Sequence, residues 1–352
     1  MRKWLLVLAI TSQVGVLAYM AGGRELILKT GDSIVVRTAP IDPRDPFRGD
    51  FVRLQYPFNS PRNNSLAGKL GTAPLNRGDP IYAVLKPSPG GLHQLDFLTD
   101  ERPGQLPFLA GYVASGSYRK NRPHLLRNTR FRYGIEQLFV EQGDGLAIEK
   151  RRGRRNTTQV PMEVELAVAS SGKAIIKGFR WSRLGIRSEV IQSARRARTG
   201  SGQSPGEPAR RSALIRLTLS NESDQPLSIF DLTDGCALQL VATEISAANT
   251  ARFDLLDNSC PTSPGMPGPE SGIFQLQAGA SHAVEIDLSK PRWHVVRTDN
   301  DGVTTQGEIG VIAPRQTFRL IYQADQTAQT RSADMWIGEM PSRLLRATGF
   351  ID

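Results

Sequence analysis

The sequence predicts a mainly β protein: an N-terminal transmembrane helix, a β-rich barrel or sandwich domain, and then a second β-sandwich domain. Three observations carry that prediction. Trp4–Met20 is an uncharged, largely apolar run that directly follows Arg2 and Lys3. The remainder is a series of short alternating segments broken by turn residues, with 33 Gly and 23 Pro among 352 residues, which suits strands better than long helices. Residues 192–211 lack aromatics and are dense in Gly, Pro, Ser and Arg, the composition of a flexible linker. The expected organisation is an anchor over 1–23, a β domain over 24–191, the linker over 192–211 and a sandwich over 212–352. A chain of this length can bury two cores of ordinary size.

Basic residues ahead of an apolar run leave the short N-terminus inside and send the following chain across the membrane. Spanning needs about 20 apolar residues, so the run is just long enough for a retained signal anchor. Both β domains then lie on the extracytoplasmic, periplasmic side. The rival reading is a signal peptide cleaved at Val16-Leu17-Ala18, a small-residue site, which would make the mature protein secreted.

Beyond the anchor, Leu26–Leu28 and Ser33–Thr38 read as extended segments parted by a Lys29-Thr30-Gly31-Asp32 turn. Residues 40–50 hold three prolines and a glycine and cannot be helical. They lead into a strand over Asp50–Tyr56, where Val52, Leu54 and Tyr56 share one face and Phe51, Arg53 and Gln55 the other. Further strands are expected over Pro80–Lys86, Leu92–Leu98, Phe108–Tyr118, Phe131–Val140, Val160–Ala169 and Lys173–Trp181, the last two joined by a Ser170-Ser171-Gly172 hairpin turn. Gly143–Arg155 is a short helix or a basic loop. After the linker, strands are expected over Ala213–Ser220, Leu227–Leu232, Cys236–Glu244, Ile273–Gln277, His282–Leu288 and Gln316–Tyr322.

Charge divides the chain. Residues 1–200 hold 32 Lys/Arg against 16 Asp/Glu, or +16, and residues 201–352 hold 12 against 18, or −6. Two basic clusters stand out: Arg119, Lys120, Arg122, Arg127 and Arg130, and then Lys150, Arg151, Arg152, Arg154 and Arg155. An exported domain rarely meets nucleic acid, so no nucleic-acid partner is expected. Solvated loops are the plain reading; as binding surfaces the clusters suit anionic lipid headgroups or acidic envelope polymers, at about 1 kcal/mol per near-surface cation. Cys236 and Cys260 are either idle thiols or, in an oxidising compartment, a possible disulfide. No metal and no cofactor is expected: two cysteines and four scattered histidines do not make a zinc site.

Gly49-Asp50-Phe51-Val52-Arg53-Leu54-Gln55-Tyr56 resembles the family named for its GDYXXLXY motif. So do Asp42-Pro43-Arg44-Asp45 before it, Tyr133-Gly134-Ile135-Glu136 with Phe139-Val140, and Ala174–Phe179 with Lys177-Gly178. The resemblance spans about residues 1–187 and implies a membrane-anchored bacterial envelope protein of unknown function. Phe51 stands where the motif has tyrosine, so that hydroxyl is missing. The segment after the linker resembles immunoglobulin-like sandwiches, through Leu217–Asn221, Ala278-Gly279-Ala280, Phe318–Tyr322 and Trp336–Glu339.

The motif region supplies the candidate chemistry: Asp42, Asp45, Arg48, Gly49, Asp50, Leu54 and Tyr56. Paired carboxylates can bind a cation or exchange protons, but an aspartate beside proline or at a strand entrance also serves as a turn former. No nucleophile motif accompanies His93, His124, His282 or His294. The expected function is a non-enzymatic envelope binding or assembly component, partnered by an integral membrane protein or an anionic lipid surface. The alternative is an envelope hydrolase built on the Asp45, Asp50 and Tyr56 region.

Overall fold

The computed structural model describes residues 2–38, 51–59, 67–68, 70, 75–104, 107–115, 129–141, 143–153, 157–194, 212–232, 236–242, 252–255, 272–298, 302–314, 316–324 and 335–350. They form a mainly β chain with an N-terminal apolar helix. The chain divides into two compact units, one of residues 1–146 and 162–181, the other of 147–161 and 182–352.

The first unit opens with α1 (Arg2–Thr30). Its side chains from Lys3 to Leu26 are exposed, and a stretch of mean hydropathy 1.8 makes it long and apolar enough to cross a membrane. The extended segment expected at Leu26–Leu28 is helical instead. A Glu25–Lys29 ion pair (3.2 Å) and a bond from the Thr30 hydroxyl to the Leu26 carbonyl (2.8 Å) support the last turns, and no breaker intervenes before Gly31.

The chain then enters β1 (Asp32–Arg37), whose β-branched core places Ile34 and Val36 inward. The other strands are β2 (Phe51–Arg53), β3 (Pro80–Ser88), β4 (Leu92–Thr99), β5 (Phe108–Ser115), β6 (Arg130–Arg132) and β7 (Gln137–Phe139). The helix α2 (Asp144–Arg152) follows and passes into the second unit at Ala147, and β8 (Met162–Val168) and β9 (Ala174–Trp181) complete the first unit's strands. Seven strands form one sheet in the order β6-β5-β3-β4-β1-β8-β9. Its β1–β4 pair is parallel and its other pairs are antiparallel. The sheet curls: the amide of Ala110 in β5 donates to the carbonyl of Gly172 in the β8–β9 turn (2.8 Å), although these strands are far apart in the order. Gly172 has φ +83, and a Cβ there would stand 2.4 Å from the Phe108 ring, so only glycine fits the closure.

The expected strand over Asp50–Tyr56 is described only as β2, with Leu54–Tyr56 running on irregularly into a short turn at Pro57–Asn59. The strand expected over Phe131–Val140 is broken in two. Gly134, at φ +79, turns the chain between β6 and β7, and β7 pairs with β2 in a separate ribbon, Phe51 opposite Phe139.

In the second unit β10 (Leu184–Gln192), β11 (Leu214–Asn221), β12 (Leu227–Phe230), β13 (Leu238–Ala242), β14 (Arg252–Leu255), β15 (Ile273–Leu276) and β16 (Ser281–Asp287) come first. They are followed by β17 (Val295–Thr298), β18 (Thr304–Gly307), α3 (Ile309–Ile312), β19 (Phe318–Ala324), β20 (Gly338–Pro341), β21 (Leu345–Arg346) and β22 (Gly349–Phe350). Small sheets β10-β11-β16, β12-β15, β13-β19-β21-β22 with β20, and β14-β17-β18 enclose one core that includes Leu217, Ile229, Leu238, Ile286, Leu320 and Trp336. Tyr322 lies fully inside, its oxygen accepting the Phe230 amide (3.0 Å). Against the boundary expected near Ile191, β10 falls in this second unit, because it pairs along its length with β11, from Leu184–Asn221 to Gln192–Leu214.

Candidate functional site

The motif segment folds as a closed clasp. Val52, Leu54 and Tyr56 point inward as period-two alternation requires, while Arg53 and Gln55 are exposed and Phe51 is half-buried. Tyr56 is 1 % exposed. Its hydroxyl donates to the Ile135 carbonyl (3.0 Å), and its amide donates to Asn59 Oδ1 (2.7 Å). Pro57 makes the tight turn that brings Asn59 back onto Tyr56. The Asn59 side-chain nitrogen then donates to the Phe131 carbonyl (2.9 Å) and to Glu136 Oε1 (3.1 Å).

Glu136 holds the opposite jaw. Its carboxylate accepts the amides of Tyr133 (2.7 Å) and Gly134 (3.1 Å), and its backbone carbonyl accepts the Leu54 amide (2.9 Å). Three rings fill the space between. Tyr56 stacks on Phe58 with centroids 5.0 Å apart, and Phe58 meets Tyr133 edge-on at 5.2 Å, both favourable arrangements. Burial, and secondarily the Glu136 charge, push the Tyr133 phenol well above its ordinary range. These bonds tie two distant segments of backbone together: the Tyr56 hydroxyl and the Asn59 side chain are spent inside the clasp, and Glu136 is half-buried at its edge.

Leu54 and Tyr56 therefore come together as core, whereas Asp42, Asp45, Arg48, Gly49 and Asp50 lie outside the described residues. So do Arg119, Lys120, Arg122 and Arg127 of the first basic cluster and Arg154 and Arg155 of the second. Arg130 is exposed on β6, and Lys150 and Arg151 are exposed on α2. Arg152 departs from the expectation of a surface cation. It is only 6 % exposed, and its carbonyl accepts the Val160 amide (3.3 Å). Cys236 is disulfide-bonded; Cys260 lies outside the described residues. Among the described residues no group of three or more His, Cys, Asp or Glu side chains could hold a metal ion.

Sequence reasoning missed Asn59 as a clasp member. The signal was Tyr-Pro-Phe-Asn, an Asn placed to cap the turn that proline begins. It also missed His282, which stacks on Phe274 at 4.4 Å and sits 3.4 Å from Asp231. That contact ties β16 to the β12–β15 ribbon.

The clasp joins the very blocks that carry the motif, and the family comparison covers both of them. Residues 13–179 belong to the GDYXXLXY protein family. No curated protein and no solved structure shows a significant match to the chain. The GDYXXLXY match takes in most of α1 and runs to Phe179 in β9, so it ends within the first compact unit apart from residues 147–161. In this member the motif's third position, Phe51, faces outward on the β2–β7 ribbon and packs its ring against Phe139 (centroids 6.3 Å). A phenylalanine in place of tyrosine there costs no buried hydrogen bond.

Proposed function

We propose that this GDYXXLXY protein is a membrane-anchored, extracytoplasmic binding or assembly component, in which the motif builds structure and performs no chemistry. The enclosure of Tyr56 carries the reading. A phenol 1 % exposed and committed to a backbone carbonyl is poorly placed to act as acid, base or nucleophile, which removes one of the three residues on which a hydrolase would rest. The exposed apolar α1, long enough to cross a bilayer, supports retention in the membrane. On this reading the partner is an integral membrane protein or an anionic lipid surface, with exposed Arg130 the cation of the first unit's basic cluster and exposed Lys150 and Arg151 those of the second unit's, and the second unit, read as an immunoglobulin-like sandwich, offers a binding face of its own.

Purification of the intact protein from membranes in mild detergent tests this. The expected result is co-purification with a multi-pass protein at comparable amounts. Recovery alone, together with a hydrolytic activity that Tyr56→Phe abolishes at unchanged thermal stability, would overturn it.

A further inference from the structure

We infer that the first sheet is seated directly on the lipid headgroup layer by a stiff helix-to-strand joint at Gly31, with the β8–β9 turn as the part that touches it. This deepens the proposed function and rests on α1 being a retained anchor. The helix is 29 residues long, roughly 43 Å at 1.5 Å per residue, against a hydrocarbon core of about 30 Å. The first charges after the apolar run are Arg24 and Glu25, which puts the exit from hydrocarbon near Gly22-Gly23. Arg24–Thr30 then rises roughly 10 Å, a few ångströms more than the roughly 5–8 Å of one headgroup layer. Little height remains between that layer and β1.

The joint has no slack. The Gly31 amide donates to the Ile27 carbonyl (2.8 Å), and Asp32 is already paired with Val168 in β8. A Cβ on Gly31 would stand 2.6 Å from the Ile27 oxygen and 3.0 Å from the Val168 nitrogen, so the helix end and the end of β8 are in backbone contact there. Ile27 and Leu28 are half-buried while the preceding helical side chains are exposed. The chain leaves β8 at this level through Ser170 and Ser171, both exposed, to Lys173, and Arg102 donates to the Ser170 carbonyl (3.1 Å). The charges in these segments balance: Arg24, Lys29, Arg102 and Lys173 stand against Glu25, Asp32, Asp100 and Glu101, with Lys29 tied to Glu25. Geometry, not attraction to anionic lipid, therefore holds the turn at the surface, and the contact is insensitive to lipid charge and salt.

The test uses the full chain reconstituted in phosphatidylcholine vesicles and in vesicles enriched in phosphatidylglycerol, with spin labels at Lys173→Cys or Arg180→Cys. Position 180 lies seven residues along β9, roughly 23 Å away. Relaxation by a nickel chelate carried on a lipid headgroup is expected to be several-fold stronger at 173 than at 180 in both vesicles and in high salt. A Gly-Ser-Gly-Ser insertion between Thr30 and Gly31 should abolish that difference while the circular dichroism of the sheet is kept. An anchored chain with equal relaxation at both positions overturns the joint, as does a difference that salt removes. Release of the chain from vesicles by alkaline wash overturns the anchor, and this inference with it.

Discussion

Tyr56 shows how a motif residue can be indispensable without reacting. Tyr56→Phe keeps the ring stack on Phe58 but leaves the buried Ile135 carbonyl without its donor, which should cost about 1–2 kcal/mol in denaturant unfolding. Glu136→Gln weakens a carboxylate that accepts from Tyr133, Gly134 and Asn59, and a loss of about 1–3 kcal/mol is expected. Tyr133 and Tyr322 predict alkaline behaviour. Both phenols are raised in the folded state, chiefly by burial, so their stabilising effect is complete below the ordinary tyrosine range near 10 and is lost as pH rises above it. Calorimetry above about pH 10 should show falling stability, and Tyr133→Phe should reduce that fall in the first unit. Alternation alone made Leu54 and Tyr56 legible as inward-facing. Asn59 and Glu136 were not legible as partners, because 77 residues separate them and no local pattern records such a contact.

At the scale of elements, the paired strands β1, β8 and β9 carry two cross-strand charge networks. Glu163, with its side chain only 8 % exposed, takes Arg37 and Arg180 (2.8 Å each). Glu165 takes Lys177 and the Ser33 hydroxyl (2.7 Å each) in a much more open setting. Glu163→Gln leaves the largely buried Arg37 with a weakened counter-charge and should cost about 2–3 kcal/mol, whereas Glu165→Gln should change neutral-pH stability little. The bonds from Lys177 and Ser33 hold the Glu165 carboxyl below its ordinary range. Its small contribution is therefore present above that range and disappears as pH falls through the lowered value, a slope that Glu165→Gln should remove from an acid titration of stability. The β8–β9 hairpin was readable from Ser170-Ser171-Gly172. The last turns of α1 were not, because Lys29-Thr30-Gly31-Asp32 carries a turn composition and the ion pair that favours helix lies four residues back, at Glu25.

For the whole molecule, the mainly β architecture, the apolar N-terminal helix and the family were legible from composition and ordered motif blocks. The boundary between units was not, since β10 alternates like its neighbours and only its pairing with β11 assigns it. A fragment ending at Gln192 would keep β10 without that partner, exposing Leu184 and Ile186, which are buried in the intact chain. Such a fragment should aggregate more than one ending at Trp181, as light scattering at matched concentration would show.

Synthesis adds a clock to this connectivity. Asp32 of β1 pairs with Val168 of β8, and at about 5–20 residues per second the ribosome delivers that partner on the order of ten seconds after β1 emerges. For all that time one edge of the strand Ile34-Val35-Val36 has no native neighbour, and it is the strand that continues directly from α1. The newly made chain therefore needs a holding factor or a rapid temporary pairing. Slowing elongation between codons 40 and 160 should increase degradation of this protein more than slowing it after codon 182.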